Sequence, residues 1–380
     1  MSYSAEMSDR SASDAPDASS KEHPSADEQF FSLTPERVLD AVEAAGFRCR
    51  PVCYPLNSFE NRVYEIELVD RRRLVAKFYR PGRWSGGQIR EEHALLAQLV
   101  AAELPVVPFL ELPSGGTLGR IGDIWYGVSD RRGGRAPDEL DDAGVERLGT
   151  FVGRMHAVCA NEPFRERPTL DVDRYVRRPL AELEKRGIHP AWRSRYRTAA
   201  LELAELADLH LEDVVVQRIH ADLHLGNVLF RDGLLHALDF DDAATGPPVQ
   251  DVWLANPGRD AESERRLQIF LDGYERFRRF DRSMLRLIEL LRAMRLVRYA
   301  GWLAKRWDDP AFRLGWPDFG SDDYWRTETT DLEEQLRFVR RGLRGEIQGR
   351  GRGASITVAT TDGDPEALTN KDYFWDWEGD

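Results

Sequence analysis

Residues 220–242 read HADLHLGNVLFRDGLLHALDFDD. Asp222 is followed five positions later by Asn227, and twelve positions further on Asp239 ends an apolar run that has turned back at Asp232-Gly233. An Asp-Gly pair between two apolar runs predicts a short hairpin. Phosphoryl transfer from ATP needs a carboxylate to orient the attacking hydroxyl and take its proton, and oxygen ligands to hold Mg²⁺ on the phosphates. One polar loop supplies an Asp and an Asn here, and the following strand end supplies a second Asp. This is the spacing of a kinase catalytic loop and its metal-binding Asp. On that pattern Asp222 and Asp239 are the catalytic carboxylates, Asp222 as proton acceptor, with Asn227 and Asp239 as metal ligands. Any one of them alone reads as a turn former, because Asp and Asn bond to their own backbone; the ordered set does not. His220 and His224 lie four apart but on a loop and without a zincin Glu, so they are read as shaping the loop.

Upstream, the chain changes period. TPERVLDAVEAAG from Thr34 spells a capped helix ended by Gly46, and RCRPVCYPL, RVYEIEL and RRLVAKFYR then alternate as strands. An amphipathic helix, SGGQIREEHALLAQLVAAEL, precedes two more strand-like pieces, GTLGRIG and IWYGVSD. Beyond about residue 142 the pattern is mostly helical, interrupted by a strand in VVVQRIH and by the polar loop. The expected fold is therefore α+β and bilobal. A small β-rich lobe at 30–130 binds ATP, a helical lobe at 131–345 carries the catalytic loop, and tails at 1–29 and 346–380 flank them.

Lys77, in LVAKFYR, shares a strand face with Val75, from which an ammonium reaches phosphate oxygens. In the next helix Glu92 sits at the edge of the packed face set by Leu95, Leu96 and Leu99, in phase to pair with Lys77, whereas Glu91 is one residue off. LNSFENRVY stands where a glycine-rich phosphate loop would lie but contains no glycine, so Ser58 and nearby backbone amides are the candidate donors to phosphate.

The formal charge of −13 is unevenly placed. Residues 1–29 hold seven acids against two bases and residues 357–380 seven against one, which leaves the stretch between them at −2. The Ser-, Asp- and Gly-rich tails are expected to be disordered, and the aromatic YFWDW near the end is expected to solvate rather than dock. Three cysteines are too few for a disulfide framework, and Cys49 and Cys53 lack a second pair to complete a zinc site. No stretch is long and apolar enough to span a bilayer and the start is not a signal peptide, so the chain is expected to be a cytoplasmic monomer with no membrane partner. Arg clusters such as LRAMRLVRYAGWLAKRW alternate with apolar residues at helical spacing. They read as solvated or ion-paired faces, not as a nucleic-acid surface.

The segments PLNSFENRVYEIE, LVAKFYRPGRW, QIREEHALLAQL, LHLGNVLFRDG, LDFDDAATGPPVQDVW and LRAMRLVRYAGWLAKRWDDPAF resemble the bacterial stress response kinase A family, within the wider aminoglycoside phosphotransferase and choline kinase group. The resemblance runs from about Thr34 to about Arg340. It implies a bilobal kinase-like fold, ATP and Mg²⁺ use, phosphorylation of Ser/Thr on proteins, autophosphorylation and a role in stress survival. It also implies Asp222 as proton acceptor, Asn227 and Asp239 as Mg²⁺ ligands, Ser58 in an ATP-covering loop, and Asp251 as orienter of the catalytic loop. HAD stands here where the family usually has HGD, so Ala221 is expected at an ordinary backbone angle. The alternatives are a small-molecule kinase on the same fold, for amino alcohols, sugars or antibiotics, and a non-catalytic ATP-binding regulator. A cationic acceptor would require acids near Asp222, for which Asp241 and Asp242 are candidates.

Overall fold

A computed structural model describes residues 30–231 and 233–344. Asp232 of the hairpin, both tails and the YFWDW stretch lie outside the described residues. Thr34 caps helix α1 (Pro35–Ala44), which lies against strand β1 (Cys49–Leu56). Strands β2 (Arg62–Leu68), β3 (Arg73–Phe78), β4 (Gly119–Ile121) and β5 (Ile124–Asp130) complete an antiparallel sheet of order β1-β2-β3-β5-β4. Val63 faces Lys77 and Lys77 faces Gly127 across the ladder, so Lys77 lies on the central strand. Ile66, Leu74, Phe78 and Val128 build the core beneath the sheet.

Helix α2 (Gly86–Ala101) opens with a reciprocal capping box between Ser85 and Gln88. Leu95, Leu96 and Leu99 do not join the sheet's core but pack into that of the helical part. The helix is thus a strut between the two halves, and it carries Glu92 at the junction.

The helical part is built from α3 (Asp142–Cys159), α4 (Arg178–Arg186), α5 (Arg193–Leu211), α6 (Val249–Ala255), α7 (Ala261–Tyr274), α8 (Ile288–Arg306), α9 (Pro310–Gly315) and α10 (Asp322–Leu343). A wide helical turn at Asp173–Arg177 leads into α4. Helices α3 and α7 meet backbone to backbone: a Cβ on Gly149 would lie 2.0 Å from the Phe270 carbonyl oxygen, and one on Gly153 2.3 Å from that of Tyr274. Strand β6 (Gln217–Ile219) pairs with β9 (Ala244–Gly246), and β7 (Val228–Arg231) pairs with β8 (Leu234–Ala237) in the expected hairpin, with Gly233 at φ 77°. The strand expected over VVVQRIH is shorter, because Val215 and Val216 remain exposed before it. Among the described residues no helix is long and apolar enough to cross a membrane.

Candidate active site

The polar loop that starts at His220 hangs from one carboxylate. Asp251, on the fully buried helix α6, accepts the backbone N–H of His220 and that of Ala221, each at 2.8 Å, and lies 3.0 Å from His156 Nε2. Those bonds fix Ala221 at φ 67°, in the left-handed region. The ordinary backbone angle expected there is thus corrected: Ala occupies the conformation that suits Gly, at about 1–2 kcal/mol. His220 joins the loop to the strand end, its Nε2–H donating to the Leu238 carbonyl at 2.8 Å while Nδ1 accepts from the Asp222 N–H at 3.3 Å. His224 Nε2 accepts from Asn227 Nδ2 at 3.2 Å, so both histidines shape the loop.

Asp222 faces Arg295 on α8, Oδ1 to guanidinium 2.8 Å. Burial, the largest influence, would raise its carboxyl, but Arg295 and then His224 together outweigh it and hold the carboxyl well below the usual carboxylate range. Burial keeps His224, 3.5 Å away, below its ordinary value, so Arg295 is the main cation that keeps Asp222 ionised. Asn227 donates its amide to the Asp222 carbonyl at 2.9 Å, which reserves its amide oxygen as an acceptor.

Lys77 Nζ sits among three carboxylates: Asp239 at 3.0 Å, Asp241 at 3.1 Å and Glu92 at 3.4 Å. Burial would lower the ammonium, but Asp239, Asp241 and Glu92 together raise it well above its ordinary value. Glu92 is pushed up by burial, although Lys77 and Arg167, the latter at 3.5 Å, oppose the rise. Glu91, one position off phase, instead accepts the backbone N–H groups of residues 165–167. Asp239 takes a left-handed backbone angle, φ 53°, and its side chain is 54% exposed, the most open carboxylate of the group.

Ser58 lies in the turn between β1 and β2, where its Oγ accepts the Asn61 N–H at 3.3 Å. The tip of that turn is fastened to the helical part. Glu60 accepts Trp302 Nε1 at 2.7 Å and pairs with Arg306 and Arg83, while Phe59 packs edge-on against Trp316. Arg80, itself buried, donates to the carbonyls of Phe59 and Glu60 and to Asp309. Asp241 and Asp242 do not form a free acidic wall. Arg83 reaches them at 2.9 and 3.1 Å, and Arg298 reaches Asp242 at 2.7 Å. Arg83, Arg167 and Arg295 thus belong to the site, although as arginines at helical or loop positions they carried no sequence signal of their own.

Mg²⁺ is characteristically held by one or two carboxylates plus substrate phosphates. The open Asp239 carboxylate and the Asn227 amide oxygen, on adjoining segments tied by the Leu238 N–H to Asn227 carbonyl bond of 2.8 Å, fit that donor set. A loop-borne Asp braced by Arg, beside a strand Lys braced by a helix Glu, is an arrangement suited to a phosphotransferase.

The chain belongs to the phosphotransferase enzyme family, whose profile matches residues 53–290. Within it, the relatives are stress response kinases. The chain is 40% identical over 314 residues to stress response kinase A of Escherichia coli K12, covering 82% of this chain and 94% of that one. With the same coverage it is 38% identical to the serine/threonine protein kinase RdoA of Salmonella typhimurium. Solved structures of like fold include an amicoumacin kinase in complex with AMP-PNP, Ca²⁺ and Ami, at TM-score 0.62 and 22% identity over 82% of this chain and 94% of that one. A microcompartment-associated aminopropanol kinase matches at TM-score 0.61 and 17% identity, over 82% of this chain and 99% of that one.

Proposed function

We propose that this chain is a Mg²⁺- and ATP-dependent serine/threonine protein kinase that also phosphorylates itself and serves bacterial stress survival in the cytoplasm, as a monomer. ATP lies between residues 30–130 and 131–345. The observation that carries the acceptor class is the 38–40% identity, over 94% of their length, to relatives named stress response kinase A and serine/threonine protein kinase. The small-molecule kinases share the fold at 17–22% identity, which speaks to architecture alone.

In this reading Asp222 accepts a hydrogen bond from the acceptor hydroxyl and orients its oxygen toward the γ-phosphorus of ATP. As the new O–P bond forms and the bond to the ADP oxygen breaks, the hydroxyl proton passes to Asp222. A carboxylate held ionised by Arg295 is a weak base, which suits a loose transition state where the proton leaves late. Lys77, released from Asp239 but still braced by Glu92 and Asp241, binds phosphate oxygens. Asn227 and Asp239 offer the oxygen ligands, and Mg²⁺ when bound neutralises charge on the phosphates. Ser58 and the amides of its turn cover them.

The test is incubation of purified full-length protein with labelled ATP and Mg²⁺, beside Asp222→Ala. Label on the wild type itself and on a generic protein substrate, absent from the variant, is the expected result. Label that appears only on small alcohols would refute the protein-kinase reading. Loss of label in Asp222→Ala with ATP binding retained excludes the regulator reading.

A further inference from the structure

Beside Asp222 the helical part presents an excess of positive charge. Arg298 lies one turn from Arg295 on α8, and residues three apart on a helix are surface neighbours. Arg298 donates to Asp242 at 2.7 Å and to the Tyr175 hydroxyl at 2.9 Å. Further along, Arg306 pairs with Glu60, and Arg83 pairs with Glu60, Asp241 and Asp242. Those three carboxylates are thereby taken up.

Two cations of the same cluster make no salt bridge among the described residues, although Arg174 feels Asp242 and Lys305 feels Glu182 at longer range. Arg174, on the wide turn before α4, stacks over the Trp84 indole at 5.2 Å, and Lys305 is exposed on α8. Trp84 also carries the guanidinium of Arg83 at 5.2 Å and that of Arg167 at 4.7 Å. Three cations ring one indole whose buried Nε1–H finds no acceptor among the described residues. Burial and then Arg298 lower Arg174 from its ordinary value; burial and then Arg306 lower Lys305. A buried orphan N–H is costly, and cations crowded this closely gain from an anion that completes them.

We propose that Arg174, Lys305 and the Trp84 N–H form an acceptor subsite for a carboxylate adjoining the hydroxyl that Asp222 orients. On the protein-kinase reading, upon which this inference builds, the acceptor is a Ser or Thr flanked by Asp or Glu. The same chemistry in a small molecule is a hydroxy acid such as glycerate. Cationic acceptors are disfavoured, because the acids that would receive them are already neutralised by Arg83 and Arg298.

The experiment gives the full chain, with Mg²⁺ and ATP, three Ser peptides of equal length flanked by Glu, by Ala or by Lys, and glycerate in a separate arm. Phosphate incorporation and fluorescence-anisotropy binding are both read. The Glu-flanked peptide is expected to have kcat/KM at least about 10-fold above the others. Arg174→Gln combined with Lys305→Gln should remove that preference by raising KM, while the KM for ATP and the thermal midpoint stay put; Arg174→Lys should restore part of it. Peptides phosphorylated regardless of charge, or best with Lys, would overturn the subsite and leave the kinase reading standing. Glycerate phosphorylated with the same Arg174 dependence, and no peptide labelled, would uphold the subsite and overturn the protein acceptor. Failure of both glycerate and the Glu-flanked peptide to bind overturns the subsite.

Discussion

Replacing Arg295 with Met should destabilise the protein in a way that depends on pH. The pair is close, 2.8 Å, with Arg295 3% and Asp222 20% exposed. At an effective dielectric constant near 20 the gross attraction is about 6 kcal/mol. Because both ions lost hydration to form the pair, breaking it by removing one partner costs about 3–5 kcal/mol. Water admitted by the partial exposure of Asp222 favours the lower end. In the wild type the folded carboxyl is depressed, so its stabilisation is present above the unfolded value of about 3.9 and lost only as pH falls through the lower folded value. Without Arg295, burial is opposed only by the weaker influence of His224, and the folded value rises. The ionised carboxylate then destabilises at neutral pH, and the penalty fades on acidification. Urea unfolding followed by tryptophan fluorescence at pH 5 and pH 8 reads this directly. The gap between wild type and variant should be widest at pH 8, and Asp222→Asn should recover most of it in the Arg295→Met background. A gap that is equal at the two pH values, or a double-mutant coupling below about 0.5 kcal/mol, would refute the reasoning.

Lys77→Met should lower kcat/KM for ATP by about 100-fold or more, chiefly through KM, in a coupled ADP-release assay. Asp251→Ala leaves two buried backbone N–H groups without an acceptor, at about 1–3 kcal/mol each, so its urea midpoint should fall by an amount worth about 2–6 kcal/mol. Ala221→Gly removes a left-handed strain of about 1–2 kcal/mol but gives up a buried methyl worth about 0.8 and adds backbone entropy worth about 0.5–1. Its stability should thus lie within about 1 kcal/mol of wild type, whereas Ala221→Val, β-branched at positive φ, should lose more than about 2.

The site residues that could be read from sequence are those whose partners are close in the chain or fixed by a period. Asp222, Asn227 and Asp239 occupy one 18-residue stretch, and Glu92 follows from the helical phase of its neighbours. Arg295 could not be singled out, because an arginine on an amphipathic helix normally points to water; here α8 crosses the middle of the helical part and is buried almost all round. Helix α10 is hard to delimit from sequence for a related reason. Glu328, Thr329 and Gln335 interrupt its apolar stripe, yet all three are buried. The left-handed angle of Ala221 is not legible in the sequence, because a backbone held by a side chain thirty residues away leaves no local mark.

Arg80 bears on how such a chain can be cut and recombined. Its guanidinium sits 5.0 Å from the Phe30 ring, where the described residues begin, and it also holds the turn at Phe59 and Glu60 and the cap of α9 at Asp309. The two halves are therefore not interchangeable modules. A chimaera that takes its sheet from one relative and its helices from another must bring residues 59–60 and 80 together with a matching 302–312, or the seam will carry a buried, unmatched charge.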